Sequence, residues 1–231
     1  MRQVSLTWAW LTDPAHWSGP DGIGLRLAEH LGYTALAVVF AAVVAVPAGL
    51  AIGHTGRGRT VAVAASGALR ALPSLGLLTL LAVSATWGIA HPLIPSTIVL
   101  ALLAVPPLLA GSYSGVDAVD ETVVEGARAC GMSGFQVLGR VELPLAAPLL
   151  VGGLRSATLQ VLATATICAY LGMGGLGRYI LDGLAVTDYP QMLAGSVLVI
   201  ALALGLDAVL GLAARLTTGA GVRSALALDA P

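Results

Sequence analysis

The chain has 231 residues, of which 57% are apolar and only 10% charged, with a net charge of -1 and a mean hydropathy of +0.91. Soluble domains carry about 25% charged residues, so this composition belongs to an integral membrane protein, and the near-zero charge leaves no electrostatic footprint for nucleic acid. All eleven basic residues are arginine, a uniform usage that fits GC-rich coding better than the needs of one site, while Cys130 and Cys168 are too few and too differently placed for a disulfide framework or a metal pair.

The start, MRQVSLTWAWLTDP, lacks a compact basic region, an apolar core and a small-residue cleavage site, so no removable signal peptide is expected. Residues 1–30 hold Trp8, Trp10 and Trp17 and suit an external segment at headgroup level, where tryptophan concentrates. A span needs about 20 apolar residues to cross a hydrocarbon core of about 30 Å. Five segments meet this: Leu31 to Ile52, Leu72 to Trp87 with a lead-in from Thr60, Leu93 to Ala110, Ala146 to Tyr170, and Met192 to Leu216. Each is continuously apolar, unlike the alternating segments of a β-barrel, so the expectation is an all-α membrane bundle of about five helices, a single transmembrane domain over 1–231.

Basic residues collect on the cytoplasmic side. With five spans, Arg57, Arg59, Arg128, Arg140, Arg215 and Arg223 share one side, and Arg2, Arg26 and Arg178 the other. Six against three places the N-terminus outside and the C-terminus in the cytoplasm.

Between the third and fourth spans lies a polar island, VDETVVEGARACGMSGFQVLGRVELP, from Val119 to Pro144. Thr122 is followed three residues later by Glu125, and Ser133 by Gln136, both at capping-box spacing. Gly131 stands between them, where a left-handed residue ends a helix, and Pro144 suits the first turn of the next span. The expected product is a short helix beginning at Thr122, a bend, a second short helix, and a span opening at Pro144.

Within this island, Glu125-Gly126-Ala127, then Gly131, then Val141-x-Leu143-Pro144 resemble the EAA loop of ATP-binding-cassette importer permeases. Gly126 stands where that pattern usually has alanine, a change worth at most about 1 kcal/mol of helix stability. The resemblance covers nearly the whole chain. Glu29-His30-Leu31, Val46-Pro47-Ala48-Gly49, Leu72-Pro73-Ser74-Leu75 and Gly172-Met173-Gly174-Gly175-Leu176-Gly177 look like permeases for glycine betaine, choline and carnitine. It implies the type I core shared with methionine-import permeases, with 113–144 as the cytoplasmic coupling loop and 171–190 as an external glycine-rich loop. It also implies three partners: a separate ATPase that receives the loop, a second permease subunit in a homodimer or heterodimer, and an extracytoplasmic substrate-binding protein. The setting is the bacterial inner membrane and its lipid. The cargo so implied is an osmoprotectant such as betaine, choline, carnitine or proline betaine. Methionine or another amino acid is the nearest alternative, and a stand-alone channel or secondary transporter the more remote one.

Gly172-x-Gly174-x-x-Gly177 matches the dinucleotide fingerprint by letter, but it follows a span rather than a strand. A glycine-rich turn at the outer mouth is expected instead, and Gly172, Gly174, Gly175 and Gly177 are candidates for a gate, as are Pro73 and Ser74 in the second span. Pro47 interrupts the first span; Pro106 and Pro107 are read as fitting neighbouring helices. His30, His54 and His91 fall near span ends without metal-ligand spacing, so interfacial positions are expected. Arg70, Arg155 and Asp207 sit in or near apolar runs, where ionisable groups need partners; Asp207 is expected to pair with Arg155 or Arg70 and brace the bundle. No phosphate-binding GxxxxGK[ST] sequence occurs, so the expected role is non-catalytic, and no cofactor is implied.

Overall fold

The computed structural model describes residues 2–217; Arg223, counted above among the C-terminal basic residues, lies outside them. Ten α-helices follow in order: α1 (Arg2–Thr12), α2 (Ile23–Thr55), α3 (Arg59–Ala71), α4 (Ser74–Ser84), α5 (Leu93–Asp117), α6 (Glu121–Ala129), α7 (Gly134–Val137), α8 (Leu143–Ala165), α9 (Gly177–Ala185) and α10 (Tyr189–Thr217). A π turn, Leu138–Glu142, joins α7 to α8, and a 3-10 segment, Thr166–Leu171, extends α8. No strand occurs among the described residues.

Among the described residues, four helical segments are long and apolar enough to cross a membrane: Ile23–Thr55, Leu93–Asp117, Gly134–Leu171 and Tyr189–Arg215. The second expected span differs. It is a bent pair, α3 and α4, and makes a fifth crossing only if the two count together. The break falls at Leu72-Pro73. Proline has no N–H to continue the ladder and disfavours helical backbone in the residue before it, and Pro73 instead becomes the extended N-cap of α4 (φ -70°, ψ 106°). The other spans overrun their sequence limits, because helical backbone continues into polar flanks that hydropathy does not register.

The chain divides into two compact units. One comprises residues 1–40, 71–104 and 158–206. Its cores are Ile23, Leu176 and Tyr179, packed by Trp10 and Leu198, and Leu78, Val99 and Leu103, packed by Ile167 and Leu171. The N-terminal segment joins the first core through Trp10, which stacks on His16 at 4.0 Å and meets Tyr179 edge-on at 5.2 Å, while Trp8 and Trp17 stay exposed. Burial pushes the Tyr179 hydroxyl up to about 12, despite the opposing charge of Arg26.

The other unit comprises, among the described residues, 41–70, 105–157 and the stretch from Asp207 to the end of α10. Here helices approach through glycine. A Cβ on Gly53 would lie 2.8 Å from the Tyr113 carbonyl oxygen, and one on Gly111 would lie 2.7 Å from Gly153 Cα and 2.9 Å from the Leu149 carbonyl. Lipid tails are as apolar as leucine side chains, so such contact is what holds helices together in a bilayer. Because those obstacles are backbone atoms, Gly111→Ala should cost about 1–3 kcal/mol. Gly126→Ala, in α6 with nothing within 4 Å of the new methyl, should instead gain about 0.5–1 kcal/mol. Thermal unfolding of the detergent-purified chain checks both, with opposite signs expected.

Candidate functional site

The island lies wholly in the second unit. Helix α6 begins two residues earlier than the capping pattern suggests. Its N-cap is Asp120, whose carboxylate accepts from the Thr122 backbone N–H at 2.8 Å and the Thr122 hydroxyl at 2.6 Å. Thr122 is therefore a donor inside the first turn, not the cap. A carboxylate suits this place because it takes the free amides and complements the positive end of the helix dipole. The two Thr122 bonds, the hydroxyl's above all, draw the Asp120 carboxyl below its usual range.

At the other end Gly131 takes φ +84°. Its N–H donates to the Arg128 carbonyl at 2.9 Å, and the Met132 N–H donates to the Ala127 carbonyl at 3.2 Å. These two bonds make a Schellman turn, which satisfies the carbonyls that the helix end leaves free. Ser133 then starts α7 with a capping box, its N–H donating to Gln136 Oε1 at 2.8 Å.

Pro144 does not open a separate span. The chain is helical from Gly134 to Leu171, 38 residues, and the proline is accommodated by the π turn before it, where the Leu143 N–H reaches back to the Leu138 carbonyl. Widening the ladder by one residue just before a proline makes room where its ring would otherwise meet the preceding turn.

The exposed face of the island carries Glu125, Gly126, Leu143 and Pro144; Ala127 and Val141 are half-buried, and Val124 and Val137 are its buried anchors. One residue went unnoticed in sequence. Phe135, the second residue of α7, is 90% exposed. Its signal was available as an aromatic inside a polar stretch, with no apolar periodicity to hide it. A second omission is Glu142, only 4% exposed, whose Oε2 stands 2.6 Å from His54 Nδ1. His54, at the end of α2, is thus hydrogen-bonded to a buried carboxyl group rather than a free interfacial residue.

Arg155 of α8 gives both of its carboxylate-matching bonds to Asp207 of α10, Nε to Oδ1 and Nη2 to Oδ2, each at 2.6 Å. Such a two-pronged pair fixes orientation as well as charge. Arg70 is exposed and takes no part in it. The pair borders an open hollow of about 620 Å³ with Pro148, Gly211 and Arg215.

In the first unit, the glycine cluster folds onto the start of α2. Gly172 and Gly175 take φ +77° and +86°, and the Gly175 N–H donates to Glu29 Oε2 at 2.8 Å. Glu29 also accepts from Arg26, which bonds Asp21 as well. Gly177 admits no side chain, since a Cβ would meet the Thr166 carbonyl at 2.3 Å. His30 is fully buried, against expectation, with Nε2 donating to the Leu162 carbonyl at 2.9 Å. That carbonyl lies where α8 passes into 3-10 turns at Thr166, a change of ladder that frees an acceptor. Gly172, Met173 and Gly174 border an open groove of about 510 Å³ with Tyr33, His91 and Pro92. Pro73 and Ser74 stay at the head of α4.

Comparison with known proteins places this architecture. The sequence model described as "Binding-protein-dependent transport system inner membrane component" matches residues 37–218. The glycine betaine/carnitine/choline transport system permease protein OpuCB of Bacillus subtilis is 31% identical over 86% of this chain and 89% of its own. The osmoprotectant import permease protein OsmW of Salmonella typhimurium is 30% identical over 84% of this chain and 91% of its own. Among solved structures, an inward-facing form of the MetNI methionine ABC transporter matches with a TM-score of 0.71 at 20% identity, covering 85% of this chain and 96% of that one, which shows a shared fold. The chain belongs to the family of binding-protein-dependent transport system inner membrane components, the non-catalytic, multi-pass membrane permeases of importers.

Proposed function

We propose that the chain forms half of the translocation pathway of an ATP-binding-cassette importer for a compatible solute such as glycine betaine, choline, carnitine or proline betaine. The relatives named for these solutes match along most of their length, whereas the methionine transporter shares the fold at 20% identity. The observation that carries the coupling role is the exposed island surface, on which Phe135 stands 90% exposed and Glu125 and Gly131 are exposed as well. An exposed aromatic on a short capped helix is the build of an anchor for a protein cleft, since such anchors supply most interface energy.

In this reading a cytoplasmic ATPase receives the island, and closure of the ATPase dimer on ATP draws two islands together, one from each permease subunit. The spans then open outward to a substrate-binding protein. The sidedness rests on arginine placement. Arg57, Arg59, Arg128, Arg140 and Arg215 all lie in the unit that contains the island, and Arg2, Arg26 and Arg178 in the other. That distribution favours an outer N-terminus and a cytoplasmic island and C-terminus.

Gly172, Gly174, Gly175 and Gly177, pinned by Glu29, suit an outer gate, because non-helical backbone at membrane depth needs shelter from protein or a cavity. Pro73 and Ser74 suit a pathway hinge at the α3–α4 break. The Arg155–Asp207 pair suits a brace between α8 and α10.

Three outcomes check these roles. Glu125→Lys combined with Gly131→Pro should abolish solute uptake and ATPase co-purification without loss of membrane insertion, and Phe135→Ala should weaken ATPase co-purification alone; retained transport in the double variant would refute the docking role. Asp207→Asn should lower assembly and uptake together, and unchanged values of both would remove the brace. The Asp120 carboxyl, depressed when folded, stabilises α6 at neutral pH. That contribution declines as pH falls below the ordinary carboxylate range and is gone below its folded value. The protection of the Thr122 amide, relative to the intrinsic exchange rate at each pH, should therefore fall on acidification, and should not do so in Asp120→Asn.

A further inference from the structure

His54 and Glu142 stand 88 positions apart and belong to none of the motif positions, Glu142 occupying the variable place between Val141 and Leu143. Their side chains nevertheless meet at 2.6 Å, with the carboxylate side chain only 5% exposed and the imidazole 19%. The other face of the ring lies against the start of the same segment, for a Cβ on Gly134 would come within 3.3 Å of His54 Nε2. The ring at the end of α2 is therefore clasped between Gly134 and Glu142, the two ends of the stretch formed by α7 and the π turn. The neighbouring junction is built differently. Arg59 bonds Asp117 at 2.9 Å and lies 5.8 Å over the Tyr113 ring, joining α3 to α5, with both charged groups well exposed. Exposed pairs of that kind contribute little. A nearly enclosed carboxyl group that loses its partner leaves a buried polar group unsatisfied, so the His54–Glu142 contact is costlier to break than the exposed Arg59–Asp117 pair when the π turn is displaced.

We propose that the His54–Glu142 pair is the link through which movement of the island is passed to α2, with both acting as positioning residues for transport. The link rests on the docking role of the island, while the contact itself exists without any partner. Displacement of the π turn draws the end of α2 with it, so a first span not attached by any motif residue follows the ATPase stroke. Without the pair, the island still docks and ATP is still hydrolysed, but α2 is left behind.

The test uses the full importer, reconstituted with its ATPase and binding protein, with radiolabelled glycine betaine as probe, and the purified chain alone for proteolysis. In His54→Ala and in the isosteric Glu142→Gln, ATPase co-purification should be kept and uptake per ATP hydrolysed should fall about tenfold. His54→Arg should restore most of that ratio, since a guanidinium can again donate to the Glu142 side chain without the ring. Trypsin should cut at Arg140 about tenfold faster in both single-loss variants, as local opening becomes easier. Loss of ATPase binding in the Glu125→Lys, Gly131→Pro control separates the docking role from the link. An unchanged uptake ratio in His54→Ala would overturn the proposal, as would failure of His54→Arg to exceed His54→Ala. Unchanged cleavage at Arg140 would overturn it whatever the cargo and whether or not the island docks.

Discussion

Close helix approach through glycine is the constraint on which the island's unit depends. A bilayer offers helices no hydrophobic gain from association, so contact between backbones must supply it. Gly53 against the Tyr113 carbonyl and Gly111 against Gly153 bring α2 to α5 and α5 to α8. Side chains at those places would push the helices apart, and the ends of α2 and α5 would no longer flank the island. The Arg59–Asp117 and His54–Glu142 contacts are possible because that spacing is set first. Polar pairing refines a geometry that small residues establish.

The legible parts of the chain were those governed by short-range rules. Four spans follow from apolar runs because hydrocarbon thickness fixes their length, and the Gly131 bend follows from the need for a left-handed residue at a helix end. The Ser133 cap followed for the same local reason. Thr122 misled because two residues within one turn could serve as a cap, and the carboxylate of Asp120 competes better for the free amides than a hydroxyl does. The break at Leu72-Pro73 was visible as a proline, but apolarity on both sides concealed that the helix does not continue through it.

What sequence could not supply were contacts between distant positions. His30 seemed interfacial because it precedes an apolar run, yet its partner is a carbonyl 132 positions away. Glu29 and Gly175 are 146 positions apart. In both cases the partner is a backbone group released by irregular structure, the 3-10 segment after α8 and the glycine turn. Side chains betray themselves by type, whereas a freed carbonyl or amide leaves no letter in the sequence. Phe135 is the opposite case, a residue whose type was informative and whose exposure was not.

The two sides of the island differ mechanically. Its first helix, α6, is separated from α5 by Ala118–Asp120 and is completed by bonds internal to itself: the Asp120 cap and the Schellman turn. Its second half has no such break, since the helix runs unbroken from Gly134 to Leu171. Helix α6 therefore joins α5 through a three-residue connection, while α7 is the end of a long helical segment. The π turn within that segment is held by His54, and farther along it Arg155 is clasped by Asp207. A displacement of α7 would therefore be passed to α2 and α10 through side-chain pairs on one helix, and to α5 through the close Gly111–Gly153 approach. The left-handed turn at Gly131 separates these two halves, so the helix that ends at Ala129 does not run on into the one that begins at Gly134.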